Sequence, residues 1–364
     1  MSVYDVNGNE LTQAYDVNGA SLASVYDVNG NEIPLNGIPD IPVTPLTWNM
    51  SDDYKGQVLN ALDTIKAYKQ EHSGAFALAQ FNDVHTIFSG NEPNFIDYNK
   101  GYKVLSYMLF LGDMVNQSNA TQYANSVAYM QGAQASKRIV GMGNHEYYYY
   151  NSSYGNPEAL YKAVINVTPT YMDDDYLIYY YDDTAHNVRY IILNYFYIRQ
   201  SGADADHYLD STQLEWLAST LESAGSKDII IAAHSMLNPF TVLRTEIERS
   251  SSATIDDQQD LIDVINAFIN RSTYGTHNFS GCTGDFIMYT SGHYHILGHS
   301  DDFGFNMFTC PARKGTGSGL EAGFVFYIID PSLRTIKVIE CASDAQYGTF
   351  DFTYDQLTKP IVSE

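Results

Sequence analysis

Five short stretches of this chain carry residues that could bind a metal or move a proton. They are Asp83-Val84-His85, Gly112-Asp113, Gly143-Asn144-His145-Glu146, His234, and Gly292-His293-Tyr294-His295. Histidine supplies only 10 of 364 residues, yet three stand between 293 and 299, so the clustering asks for a cause. Carboxylate oxygen combined with imidazole nitrogen suits first-row metals such as Mn, Fe or Zn, whereas calcium prefers all-oxygen cages. Each stretch alone is weak, since Asp-x-His is common in hydrogen-bonded loops and a histidine after an apolar strand is often a core residue. Their ordered recurrence is the signal. If Asp83-Val84-His85 and His293-Tyr294-His295 continue extended strands, residues two apart project to one face and each stretch presents a ligand pair. Glycines 112, 143 and 292 would let the backbone approach a compact site.

The elements that must position these residues are legible as apolar runs. AFALAQF (75–81) leads to Asp83, VLSYMLFLG to Asp113, RIVGMG to Asn144, DIIIAA to His234 and FIMYTSG to His293. Hydrophobic strands thus lead repeatedly into Asp, Asn or His. Helical spacing is expected over Ser51 to Glu71, with Val58, Leu59, Leu62 and Ile65 on one side, and over Ile255 to Asn270. Thr212-x-x-Glu215 reads as a capping box, followed by Leu214, Leu217 and Leu221.

Ahead of these lies a different kind of sequence. VYDVNGNELTQ, AYDVNGASLAS and VYDVNGNEIPL repeat with a period of eleven and hold Tyr4, Tyr15 and Tyr26 in register. An Asn-Gly pair centres each unit and predicts a small hairpin with a type I′ turn. The period is too short for a calcium loop of EF-hand type. Isolated hairpins are marginal in water, so docking to a partner protein, a particle or a neighbouring subunit is expected. Residues 1–32 form this repeat, 33–46 a proline-rich linker, and 47–364 a mixed α/β domain.

Composition narrows the function classes. With 19 Lys and Arg against 43 Asp and Glu, the formal charge is -24, which opposes broad nucleic-acid binding. A phosphorylated substrate stays compatible, because bound cations reverse the local field. Three scattered cysteines, Cys282, Cys310 and Cys341, read as core thiols rather than a disulfide framework. The start MSVYDVNGNE predicts no signal peptide, and no apolar run approaches a membrane span.

The order D-x-H, GD, GNH[DE], H, GHxH from Asp83 to His295 resembles the motif series of the calcineurin-like metallophosphoesterases. VRYIILNYF followed by STQLEWLASTL is similar to that family's strand and helix before the fourth motif. The repeats loosely resemble N-terminal modules of phage-tail and surface-attached hydrolases. The main resemblance implies a four-layer α/β/β/α sandwich of two mixed sheets, and hydrolysis of a phosphomonoester or phosphodiester at a dinuclear centre. Carried over by position, it assigns Asp83, His85 and His295 to one metal and Asn144, His234 and His293 to the second. Asp113 would bridge them, a bridging hydroxide would be the nucleophile, and His145 would stabilise or protonate the departing oxygen. Position 116 departs from two branches: Asn116 replaces both the tyrosine ligand of purple acid phosphatases and the acidic residue of protein Ser/Thr phosphatases. After His234, Ser-Met-Leu-Asn-Pro delays a proline that many relatives place earlier.

Other features have plainer expectations. His299 falls outside the motif and is expected near the rim as a loop residue. Tyr147 to Tyr150 either pack as a loop or line a substrate wall. Asp173–Asp175 and Asp182–Asp183 read as solvated turns around a hairpin. The competing function is a virion- or surface-associated structural or adhesion protein that retains the fold for binding.

Overall fold

A computed structural model describes residues 52–354 except 86–103, 118, 132–136, 148–155, 196–208, 244–245, 250–254, 256–257, 313–322 and 343–347, together with four two-residue segments before residue 34. The chain divides into two compact units, Met1–Thr47 and Trp48–Glu364. In the first unit, β1 (Val3–Tyr4) pairs antiparallel with β2 (Glu10–Leu11), and β3 (Val25–Tyr26) pairs likewise with β4 (Glu32–Ile33). Both hairpins keep one register, Tyr4 opposite Glu10 and Tyr26 opposite Glu32. The Asn-Gly pairs expected to form the type I′ turns lie outside the described residues. The middle repeat lies outside the described residues.

The second unit is built from two sheets. One contains β5 (Phe76–Phe81), β6 (Tyr107–Leu111) and β7 (Lys137–Gly141), which run parallel. The other contains β8 (Thr170–Asp173), β9 (Ile178–Asp183), β10 (Val188–Ile192), β11 (Asp228–Ala232), β12 (Phe240–Val242) and β13 (Ile247–Arg249). A small hairpin, β14 (Thr273–Tyr274) and β15 (His277–Asn278), stands apart. β16 (Phe286–Ser291), β17 (Gly298–Ser300) and β18 (Met307–Thr309) complete the second sheet. β19 (Gly323–Asp330), β20 (Thr335–Ala342) and β21 (Thr349–Thr353) complete the first. The orders are β21-β20-β19-β5-β6-β7 and β13-β12-β17-β18-β16-β11-β10-β9-β8.

The sheets pack face to face through alternating side chains. Tyr107 of β6 meets Tyr190 of β10 with ring centroids 4.6 Å apart, and Tyr327 of β19 meets Phe308 of β18 at 5.6 Å. Residues of opposite parity point outward. Phe110 therefore turns to Tyr129 of α2 (Ala120–Gln131), outside the first sheet, where α1 (Asp52–Glu71) also packs with Val58, Leu62 and Ile65 fully buried. Arg189 turns out of β10 to α4 (Ser211–Glu222) and donates to the Thr220 carbonyl at 2.6 Å; α3 (Pro157–Lys162) precedes it in the chain. α5 (Gln258–Ile269) joins α4 on that side. The result is the α/β/β/α order expected from the sequence. No helix among the described residues is long and apolar enough to cross a membrane.

Several local expectations need correction. The cap of α4 is Asp210, whose carboxylate accepts from the Gln213 N–H at 2.8 Å, so Thr212 lies inside the first turn. Glu215 and Glu222 instead clasp His277 at 2.9 and 2.8 Å, one on each ring nitrogen. Asp182 and Asp183 are not solvated turns: Asp182 accepts two bonds from Arg189, and the buried Asp183 pairs with His186. Arg189 of the next strand and His186 of the turn before it supply the partners, so the acids are drawn inward. Asp174 fits the solvated reading, exposed and paired with Lys162 at 2.6 Å. The three cysteines are buried and free.

The His277 clasp makes a pH prediction. The hydrogen bond from Glu222, opposed by burial and joined by Glu215, raises the imidazole pKa above its ordinary value. A raised folded-state pKa means stability fully present below the unfolded value of about 6.5 and lost as pH rises through the folded value. Thermal melts of His277→Gln should therefore fall well below wild type at pH 6 and approach it at pH 9. A gap that ignores pH would show that the ring acts through packing alone.

Candidate metal centre

Every candidate ligand lies just past the carboxyl end of a parallel strand. Asp83 follows β5, Asp113 follows β6, Asn144 follows β7, His234 follows β11 and His293 follows β16, each by two or three residues. Both sheets present these ends at one edge, the usual ligand-binding edge of parallel α/β sheets.

The paired ligands are not carried on extended strand. Asp83, His85, Asp113, His293 and His295 all have left-handed backbone, with φ of 53, 50, 52, 71 and 62°. Such φ values are uncommon outside glycine and persist only where surroundings hold them. Here the loops hold each other: the Asp83 N–H donates to the Gly112 carbonyl at 3.1 Å and the His85 N–H to the Asp113 carbonyl at 2.9 Å. The pairs therefore converge by tight turns, not by the two-residue repeat of a strand. Gly143 is needed for the same closeness, since a Cβ there would lie 2.4 Å from Asp113 Oδ1.

The side chains meet at a few ångströms. His295 Nε2 stands 3.1 Å from Asp83 Oδ1 and 3.2 Å from His85 Nε2. His234 Nε2 stands 3.3 Å from Asp113 Oδ2 and 3.3 Å from His293 Nδ1. Asp113 Oδ2 also lies 3.9 Å from His85 Nε2 and 3.8 Å from His145 Nε2. At this edge, among the described residues, three groups are close enough to share a cation: Asp83, His85 and His295; Asp113, His234 and His293; and His85, Asp113 and His145. Asp83, Asp113 and His234 are buried, while His145 and His295 keep side-chain exposures of 24% and 20% and mark the open side.

Asn144 tests whether a cation fits. With its NH2 turned to them, the Asn144 amide reaches His293 Nδ1, His234 Nε2 and both Asp113 oxygens at 3.2–3.3 Å. Yet a convergence of amide oxygen, imidazole nitrogen and carboxylate oxygen on one point is what a first-row cation requires. The donor set fits a metal.

Charge agrees. Burial raises the carboxyl pKa of Asp83 and Asp113, but the surrounding histidines, His295 and His234 foremost, hold both well below the ordinary range. The same carboxylates lift His234 above its own range against the effect of burial. Burial and then His234 push His293 down to about 4. The Nδ1–H of His234 donates to the Leu111 carbonyl at 2.7 Å, which turns Nε2 to the site.

Two further residues stand out that the motif reading left without a role. Glu146 is fully buried and accepts from the N–H groups of Asp113, Met114 and Gly143 at 2.7–2.8 Å. The Asn116 carbonyl accepts from His145 Nδ1–H at 2.8 Å, a backbone contact that does not depend on the side chain at 116. His299 belongs to β17, with its ring 4.3 Å from Phe352 and Nε2 3.0 Å from Asn306 Oδ1, which is a packing position. Tyr147 is buried and its hydroxyl accepts from Asn194 at 3.1 Å; Tyr148 to Tyr150 lie outside the described residues.

Fold and site together define a phosphoesterase-type α/β/β/α domain with a metal-binding edge. The sequence profile of the calcineurin-like phosphoesterases matches residues 76–297, more than half of the chain, and the protein belongs to that family. Its domain is that of a metal-dependent phosphoesterase. No curated protein sequence matches the chain. Similar solved structures include a predicted phosphoesterase from Streptococcus pneumoniae, with 10% identity, TM-score 0.32, and coverage of 77% of this chain and 98% of that one. A Vps29 mutant from Entamoeba histolytica has 10% identity and TM-score 0.33, covering 77% of this chain and 100% of that one. Vps29 from Chaetomium thermophilum has 9% identity and TM-score 0.30, covering 79% and 100%.

Proposed function

We propose that the protein hydrolyses a phosphomonoester or phosphodiester at a centre of two first-row cations, Mn, Fe or Zn. The carrying observation is the convergence of two Asp/His groups at one edge, Asp83 with His85 and His295 and Asp113 with His234 and His293, each close enough to share a cation. Asp83, His85 and His295 would hold one cation, Asn144, His234 and His293 the other, and Asp113 would serve both. Cations in these positions supply Lewis acidity and charge neutralisation for a phosphoryl group.

The chain's own residues do the rest. Hydrogen bonds from backbone to Glu146 and from His234 to Leu111 fix the ligands before substrate arrives. His145 is outside the ligand set and stands at the open side. Its Nδ1–H is engaged by the Asn116 carbonyl, so Nε2 is the atom turned toward the carboxylates and an incoming ester. A proton held on Nε2 can bond to, or be delivered to, the departing oxygen.

The test is metal analysis of purified protein combined with a panel of aryl phosphate mono- and diesters. Metal-dependent turnover is expected. No turnover with Mn, Fe or Zn would overturn the reading and favour a binding role for the fold. His145→Ala should lower kcat by about 10²–10⁴-fold with metal content unchanged; loss of metal in that variant would make His145 a ligand instead.

A further inference from the structure

Asp83 has two oxygens, and the structure treats them differently. Oδ1 faces His295, His85 and His234 at 3.1, 3.7 and 3.8 Å. Oδ2 faces away and accepts from Asn82 Nδ2 at 2.6 Å and from the His293 N–H at 2.8 Å. Asn82 is fully buried.

The Asn82 amide is itself oriented. Its Oδ1 accepts from Gln80 Nε2 at 3.1 Å, so its NH2 must face Asp83. Gln80 is oriented in turn: its Oε1 accepts from the Thr290 hydroxyl at 2.6 Å, and its NH2 also donates to the Ser291 carbonyl at 2.8 Å. Thr290 and Ser291 belong to β16 and Gln80 to β5, so this chain of donors ties the two sheets together beneath the site. Gly292 leaves room for it, because a Cβ there would fall 2.8 Å from the Asn82 side chain.

We propose that Asn82, oriented by Gln80 and Thr290, is a positioning residue that occupies Asp83 Oδ2 and so presents Asp83 to its cation through Oδ1 alone. A carboxylate with one oxygen saturated by N–H donors cannot swing to bind through both. Asp83 would then offer a single donor atom to a cation. Outer hydrogen bonds of this kind tune ligand orientation and metal affinity. The inference rests on the two-cation reading above.

The experiment titrates the metal-free full chain with Co²⁺, following heat and the visible spectrum, with its melting temperature as a folding control. Asp83→Ala identifies the binding event to which Asp83 contributes. Asn82→Leu keeps the side-chain size and removes both N–H donors. It should weaken that same event about 10–100-fold and change its Co²⁺ spectrum, with the other event shifted less than about threefold. Unchanged affinities and spectrum would overturn the proposal, as would equal weakening of both events. If Asn82→Leu does not fold, Gln80→Met carries the test: it removes the donor that orients Asn82, along with Gln80's own bonds to Thr290 and Ser291, and should weaken the same event by a smaller factor. No effect of a folded Gln80→Met would then overturn it. Failure of wild type to bind Co²⁺ at all would instead strike the two-cation reading.

Discussion

Asp113→Ala will abolish metal-dependent phosphoester hydrolysis, lowering kcat/KM by about 10³-fold or more, and will strip the protein of tightly bound metal. Its side chain reaches members of both ligand groups and His145 as well. Oδ2 lies within 3.3–3.9 Å of His234, His145 and His85, while Oδ1 accepts from the His145 N–H at 2.7 Å. Removing this carboxylate takes away a buried anionic donor that stands among three imidazoles, and with it much of the charge that would hold a cation. Metal content and turnover should fall together. Turnover near wild type, or full metal occupancy in the variant, would show that Asp113 does not serve both cations.

The second large effect is expected at Glu146, and it is a loss of stability as well as activity. The carboxylate accepts from three backbone N–H groups on two loops at 2.7–2.8 Å and from the Tyr161 hydroxyl at 3.0 Å. Burial, then the nearby Asp113, raises its pKa, and the hydrogen bonds offset that penalty. In Glu146→Ala those buried donors lose their acceptor, at a combined cost of about 3–5 kcal/mol. For a domain of this size that is a fall of roughly 10 °C in Tm. The Asp113 and Asn144 loops would also lose their common anchor, so metal affinity should drop. A melting temperature within about 2 °C of wild type would rule out the clamp.

Much of this protein could be read along the chain. The apolar runs before Asp83, Asp113, Asn144, His234 and His293 became parallel strands, because continuous burial on both faces leaves a local signature. Helix positions followed from spacing, but the α4 cap did not: Asp210 and Thr212 both carry suitable oxygens, and only backbone geometry chooses between them. The acidic pair at 182–183 misled for a related reason, since Arg189 and His186 become their neighbours only when β9 and β10 pair.

What the sequence determined by itself was the kind of site: which residue types recur after strands, in what order, and that oxygen and nitrogen donors in that mixture suit first-row cations. Residue type and order are one-dimensional properties, so they survive without a fold. Only the tertiary structure decided how those residues converge. It set Asp83, His85, His293 and His295 on left-handed turns, where an extended strand would have spread them. It placed Glu146 and Asn82 behind the ligands, Glu146 tied to the Asp113 loop and Asn82 oriented by Gln80, which Thr290 of the other sheet holds in turn. A polar residue beside an aspartate carries no mark of its role in sequence. Its meaning arises when two sheets meet and Thr290 of one, acting through Gln80 of the other, aims the Asn82 amide at a single oxygen of Asp83.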